Sequence, residues 1–296
     1  MFFSVVIPTY NRAELLRHTL ESVFAQEFKD FELIVVNDGS TDNTESVVSD
    51  WGDKIRMLHA NNSGPGSARN LGINHTEGEY VTFLDSDDLW FPWTLKSYFE
   101  VIQKAGAPSF IAGKPFVFDD LAEINRVASA DITYDCFEDY FASGDEWRWW
   151  GVSSFVIKAS ALKACGGFVE MNINGEDADL ALKLGEARGF VQITSPYTFA
   201  YRNHSANVTK DTAKTINGIW HKVNTELAEG YPGGENRAKE RRRILTRHVR
   251  PVMLDCLKQT KDNEAWNLYW ATFRWHVALG RWKFLIGFLI KAMLNR

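Results

Sequence analysis

Through the first hundred residues, apolar runs of strand length alternate with segments whose apolar positions recur at helical spacing. "SVVIPTY" (4–10) reads as a strand, and "RAELLRHTLESVFAQ" (12–26), with Leu15, Leu16, Leu20, Val23 and Phe24 in register, reads as a helix. "FELIVVND" (31–38) is a second strand, and "STDNTESVVSDW" (40–51) opens on helix-capping residues. "KIRMLHA" (54–60), the helix "GSARNLGINHT" (66–76) and the strand "EYVTFLD" (79–85) continue the alternation. Strands that are apolar throughout and separated by helices predict an α/β fold, a parallel sheet covered on both faces.

Every conspicuous polar cluster sits where such a strand ends. "PTYN" (8–11), "NDGSTD" (37–42), "NNSGPGSARN" (61–70) and "DSDD" (85–88) follow the first to fourth strands in turn. In open α/β sheets this carboxyl edge is where ligands bind. Residues 104–236 are less regular, with a strand "SSFVIK" (153–158), a turn "CGGF" (165–168), a helix from about Glu176, and "YPGGEN" (231–236) read as a linker. The predicted division is one domain over 1–230, in two parts meeting at about 104 and 105, followed by a helical extension over 237–296. No internal repeat or low-complexity tract is visible.

Composition changes this picture in two places. The chain has 296 residues and a net charge of −5, but 14 Lys and Arg stand against 4 Asp and Glu from Arg237 onward, leaving 19 against 34 before it. An acidic body with a basic tail points to an anionic partner such as a phosphate-bearing surface. The opening "MFFSVVIPTYNR" lacks a basic n-region and a long apolar stretch, so the expected location is cytoplasmic. Cys136, Cys165 and Cys256 are widely spaced, suggest neither a disulfide framework nor a zinc site, and are expected to be buried thiols.

The chemistry concentrates in "LDSDD". Carboxylates as close as Asp85, Asp87 and Asp88 repel unless a positive charge stands among them, and a hard divalent cation completed by water and substrate phosphates is one answer. The alternative is a turn in which Asp87 or Asp88 caps the next helix. "GPGSAR" follows a strand and opens a helix, but Arg69 replaces the third glycine of a dinucleotide fingerprint and the strand is third rather than first. "NGEDADL" (174–180) supplies three acids, readable as a general base or as a helix start favoured by the dipole. No Ser or Cys has an evident His and acid pattern for covalent catalysis.

Taken together, "VVIPTYNR", "IVVNDGSTDNT", "GPGSARNLGI", "YVTFLDSDD" and "GEDADLALKL" resemble, in order and spacing, the family 2 glycosyltransferases, over roughly residues 3–205. The resemblance implies a glycosyltransferase A type fold, an activated nucleotide sugar, Mn²⁺ or Mg²⁺, and inversion at the anomeric carbon. Carried over by position, it makes Pro8, Thr9 and Tyr10 the wall of a base pocket. Asp38 accepts a hydrogen bond from the imide NH of a uracil or thymine, which favours UDP, while a turn is its alternative role. Arg69 lies near the base or diphosphate, Asp85 and Ser86 belong to the nucleotide site, and Asp87 and His204 hold the metal. Asp177 is the base, with Glu176 positioning the acceptor or the base. "GDEWRWWGVSS" (144–154) reads as an acceptor wall, with Trp149 and Trp150 stacking on sugar rings, or alternatively as core.

The tail needs its own account. "RAKERRRILTRHVR" (237–250) is basic, and residues 266–294 mix Trp, Phe and aliphatic residues with Arg and Lys. "FLIGFLI" is too short to span a bilayer, and the expectation is an interfacial helix that docks on an anionic membrane face near a lipid-linked acceptor. A subdomain packing on the catalytic domain, or on a second copy in a homo-oligomer, is the competing reading. The resemblance thus implies transfer from a nucleotide sugar to a saccharide or lipid-linked saccharide in envelope polysaccharide assembly, with nucleic acid not expected as a partner. A sugar nucleotidyltransferase and a catalytically silent binding subunit are the rivals. The first lacks its basic Gly-rich loop, since "PTYNRAE" stands there instead.

Overall fold

The computed structural model describes residues 1–144, 151–204 and 211–294. It divides into two compact units: Met1–Asp139 with Arg148–Asn172 and Ala187–Asn207, and Tyr140–Trp147 with Ile173–Glu186 and Val208–Arg296.

The first unit is built on one nine-stranded sheet. Its strands are β1 (Phe3–Thr9), β2 (Phe31–Asn37), β3 (Arg56–His59), β4 (Tyr80–Phe83), β5 (Leu89–Trp90), β6 (Phe110–Phe118), β7 (Thr133–Phe137), β8 (Phe155–Lys158) and β9 (Phe190–Arg202), ordered β3-β2-β1-β4-β8-β6-β9-β5 with β7 on β9. The first four are parallel, as their apolar runs predict, and every residue of β1 and β4 is buried. Past β4 the sheet turns mixed: β8 is antiparallel to β4 and to β6, β9 is parallel to β6, and β5 and β7 are antiparallel to β9. The parallel sheet read from the first hundred residues is thus extended by antiparallel and mixed strands, and the less regular stretch after residue 104 supplies β6, β7, β8 and β9.

Helices α1 (Ala13–Phe24), α2 (Thr44–Ser49), α3 (Pro65–Ile73), α4 (Thr94–Lys104), α5 (Leu121–Ile124) and α6 (Ala159–Ala164) accompany the sheet. Leu16, Leu20 and Val23 of α1 are buried, at the spacing that predicted the helix. Gly72 lets α3 approach closely, because a Cβ there would lie 2.4 Å from Val6 Cγ1. Pairing in register places Thr9 opposite Asn37 and Val6 opposite Phe83, so the loops after β1, β2 and β4 leave from one edge. Pro8 lies beyond the last β4 pair, at Val6, where the sheet tolerates a missing amide.

The second unit is helical: α7 (Glu176–Lys183), α8 (Thr212–Leu227), α9 (Ala238–Lys258), α10 (Asp262–Ala278) and α11 (Trp282–Leu294). Residues 231–236 are not a free linker. Tyr231 is buried with its hydroxyl donating to Asp179 at 2.6 Å, and Arg241 donates to the carbonyls of Pro232 and Gly234. Arg241 is itself buried and forms a charge-assisted bond to buried Glu226 at 2.7 Å, with Arg242 on the other carboxylate oxygen at 3.0 Å. Tyr269 stacks on Phe288 and joins α10 to α11. Among the described residues no helix is long and apolar enough to cross a membrane. The cysteines are free as expected, but only Cys256 is buried; Cys136 is exposed and Cys165 half-buried.

Candidate functional site

β4 runs the chain out of the core and delivers Asp85–Asp88 as a tight turn, closed by Asp88 N donating to Asp85 O at 3.0 Å. The next helix, α4, starts only at Thr94 without a side-chain cap, so the capping alternative for Asp87 and Asp88 fails. β5 follows the turn at once and pairs Leu89 with Ala200 of β9. That pairing sets the end of β9 beside the acidic turn. It explains why His204, 117 positions away in sequence, lies with Nε2 at 2.9 Å from Asp87 Oδ2.

Four basic side chains answer the charge of the turn. Arg69 Nη2 lies 2.6 Å from Asp85 Oδ1 and its guanidinium covers the Phe168 ring, with the side chain almost wholly buried. Arg12 Nη1 lies 2.7 Å from Asp87 Oδ2, the oxygen that His204 also meets. Arg202 donates from Nε to the Asp87 carbonyl at 2.9 Å and from its backbone N to Asp88 Oδ1 at 3.1 Å. Asp88 is buried, and Ser153 Oγ donates to its Oδ2 at 2.6 Å. Burial, then the charges of Asp87 and Asp85, push the Asp88 carboxyl well above the usual carboxylate range. Asp88 thus ties the turn to β9 and to the segment before β8 and does not face outward as a ligand. Asp85 is the most open of the turn's acids with a hydrogen-bonded partner, and Ser86 is buried.

Asp38, next to the end of β2, is buried and accepts backbone hydrogen bonds from Ser63 N at 2.8 Å and Gly64 N at 2.9 Å. Each carboxylate oxygen keeps acceptor capacity beyond one such bond, so anchoring and ligand contact are compatible. The Asp38 amide donates to Thr9 O at 2.9 Å, which joins the first two strand ends. Among the described residues Thr9 Oγ1 is buried without a hydrogen-bond partner, a hydroxyl available to a ligand, and Tyr10 is 43% exposed beside it. Pro8 is buried within β1. Trp149 and Trp150 lie outside the described residues.

Glu176 and Asp177 belong to the second unit, where they open α7 after Gly175, whose φ of 80° suits a residue without Cβ. Both are half-buried, whereas Asp179 is fully buried and committed to Tyr231, His221 and Lys183. Burial opposes its ionisation, but the His221 bond and the Lys183 charge outweigh that and hold Asp179 at about 2. Lys222, buried on α8, donates from Nζ to the Gly175 carbonyl at 2.9 Å. Burial pulls its ammonium below the usual value, against the charges of Asp177, Asp179 and Glu176.

Sequence reasoning missed Arg12, Arg202, Ser153 and Lys222 as parts of this chemistry. The only sequence signal for Arg12 was its place in "PTYNR", one residue before a helix; the others act through pairings that the sequence does not display. As for a metal, the described residues contain no group of three or more His, Cys, Asp or Glu able to hold one. Asp87 and His204 offer two converging donors of the right chemistry. Arg12 already pairs with the Asp87 oxygen that His204 meets, so a cation held there would have to take that oxygen from the guanidinium.

These features can be set beside known proteins. The model of "Glycosyl transferase family 2" matches residues 4–158, and the chain belongs to that family. An uncharacterized glycosyltransferase of Rickettsia typhi is 43% identical over 101 residues, covering 34% of this chain and 32% of that protein. The poly(ribitol-phosphate) beta-N-acetylglucosaminyltransferase TarS of Staphylococcus aureus is 41% identical over 102 residues, covering 32% of this chain and 18% of TarS. The matched stretch therefore spans a third or less of these relatives. The crystal structure of S. aureus TarS 1–349 in complex with UDP-GlcNAc superposes with a TM-score of 0.68 at 20% identity, covering 84% of this chain and 73% of that one. The mannosyltransferase PcManGT of Pyrobaculum calidifontis, in complex with GDP-Man and Mn²⁺, gives 0.55 at 19% identity, covering 99% and 86%. Both establish the glycosyltransferase A type fold of the chain.

Proposed function

We propose that this protein is a glycosyltransferase that moves a sugar from a UDP-sugar to a hydroxyl of a saccharide or lipid-linked saccharide, with inversion. The observation that carries the reading is the gathering, at one sheet edge, of loops from four strands. Asp38, Arg69, the turn Asp85–Asp88 and His204 are tied together there by the bonds described above. Family membership, and a TarS relative whose structure holds UDP-GlcNAc, support a nucleotide-sugar donor.

In this reading Thr9 and Tyr10 flank the base, and Asp38, already fixed by two backbone amides, accepts the imide NH of uracil. Arg69 and Asp85 stand by the ribose and diphosphate. Asp87 and His204 hold Mn²⁺ or Mg²⁺, which when bound offsets charge on the departing diphosphate. Arg12 shares the Asp87 oxygen and must yield that position or share it as the cation loads. Asp177 takes the proton of the acceptor hydroxyl as the new C1–O bond forms and the bond from C1 to the diphosphate oxygen breaks. Glu176 orients the acceptor, and Trp149 and Trp150 are assigned to its wall on sequence alone.

The test is UDP release from a panel of UDP-sugars with Mn²⁺ and saccharide acceptors, comparing wild type with Asp177→Asn. Acceptor-dependent release that falls at least about a hundredfold in the variant, with donor binding intact, is expected for loss of a general base. Donor binding without turnover on any acceptor would instead favour the silent binding subunit.

A further inference from the structure

Helix α11 carries apolar residues both on a buried face and on an exposed one beside it. Leu285, Phe288 and Ala292 are buried, and Phe288 stacks on Tyr269 and meets Trp266 edge-on. This is the ordinary face by which a helix joins its core. The exposed face repeats the pattern outward: Trp282 is 54% exposed, Ile286 57%, Ile290 53% and Met293 76%. These positions follow one another at intervals of four, four and three, so they form one stripe about 16 Å long on a helix rising 1.5 Å per residue. On α10, Trp270 is 62% exposed. Single exposed apolar residues need no explanation, but a continuous helical stripe of them does.

Charge decides what the stripe faces. Lys283 and Lys291 on α11 and Arg274 on α10 are exposed, and no Asp or Glu occurs anywhere after Glu264. A two-fold contact between copies would set the cationic side chains beside the stripe against one another, which like charges oppose. Nucleic acid would answer the lysines but leave Ile286, Ile290 and Met293 unburied. An anionic bilayer surface satisfies both features: aliphatic side chains enter the acyl boundary, Trp282 and Trp270 sit at headgroup depth, and the lysine stems lie along the apolar layer with ammonium groups on lipid phosphate.

We propose that the outer face of α11, with Trp270, is a membrane-docking surface selective for anionic lipid. The proposal rests on the second unit alone and stands whether or not the donor assignment does. It is tested by floating the full-length protein with vesicles of phosphatidylcholine alone and of phosphatidylcholine mixed with phosphatidylglycerol, at low and high salt. Wild type is expected to float with the anionic vesicles only, and less at high salt. Ile286→Glu with Ile290→Glu replaces two side chains that are more than half exposed, and should weaken vesicle binding more than about tenfold. Lys283→Glu with Lys291→Glu should abolish the preference for phosphatidylglycerol. An unchanged circular dichroism melt shows that both variants fold. Wild type that stays at the bottom of the gradient with every vesicle overturns the proposal. So does sedimentation showing a dimer that the isoleucine variant dissociates, which assigns the face to a second copy.

Discussion

At the scale of single residues, the acidic turn shows how a few side chains divide the work that the sequence lumps together. Asp85, Asp87 and Asp88 are near-equivalent as letters, yet one pairs with Arg69, one meets Arg12 and His204, and one is buried on Ser153 and the Arg202 amide. Asp38, Asp87 and His204 could be read from motif position. Arg69 was also named from its motif, but Arg12 and Arg202 could not be, because a guanidinium reaches several directions and its partner is set by strand order. Lys222 carries a prediction here. Its bond to the Gly175 carbonyl fixes the backbone entering α7, just ahead of Glu176 and Asp177. Lys222→Met should lower kcat about tenfold to a hundredfold through misplacement of the base. UDP binding measured by calorimetry should be unchanged, and Lys222→Arg should recover part of the loss. A weakened UDP affinity with normal kcat would show that Lys222 does not act on α7.

Among elements, the first four strands and their helices were legible because each is buried on both sides and so reads as an unbroken apolar run. β6 and β9 escaped because part of each faces outward: β9 mixes Thr194, Ser195 and Pro196 into its middle, and β6 exposes Lys114 and Val117. The pairing of β9 with β5 brings His204 to the turn, so a missed strand is one that completes the site. Close packing of α3 on the sheet gives one prediction. Gly72→Ala places a methyl 2.4 Å from Val6 Cγ1 and 3.3 Å from Val36 Cγ2, and should cost about 1–3 kcal/mol in urea unfolding through overpacking. A variant as stable as wild type would mean that the helix moves away freely.

α10 gives a second prediction at this scale. His276 is fully buried against Phe284, and burial, then the charges of Arg281 and Arg250, lower its imidazole from 6.5 to about 4. Because the folded value is depressed, the unfolded chain takes up a proton first as pH falls below 6.5, and stability is lost from there down toward pH 4. Between pH 7 and pH 5 the loss assignable to His276 is about 2 kcal/mol. His276→Phe should remove that increment of acid sensitivity from the urea midpoints. Equal pH dependence in both proteins would contradict the assignment.

For the whole molecule, the division of charge along the chain has a structural counterpart. The acidic portion carries a sheet whose carboxyl edge gathers arginines around three aspartates, and the basic portion forms helices whose last member keeps an apolar and cationic side outward. Composition marked a boundary at Arg237, whereas the second unit also takes in Ile173–Glu186 and the chain from Val208, and the segment read as a linker is tied down by Arg241 and Tyr231, interactions invisible to a reading that took Pro and Gly as punctuation. The central claim is that the edge bearing Asp38 and Asp87 takes a uridine diphosphate with a divalent cation. Titration calorimetry with UDP, GDP and dTDP, with and without Mn²⁺, on wild type and Asp87→Ala tests it most directly. The account predicts that UDP binds with a metal-dependent increment of about tenfold or more, and that Asp87→Ala loses this increment while its metal-free affinity persists. Absence of nucleotide binding under every condition, or a metal increment untouched by Asp87→Ala, would contradict it.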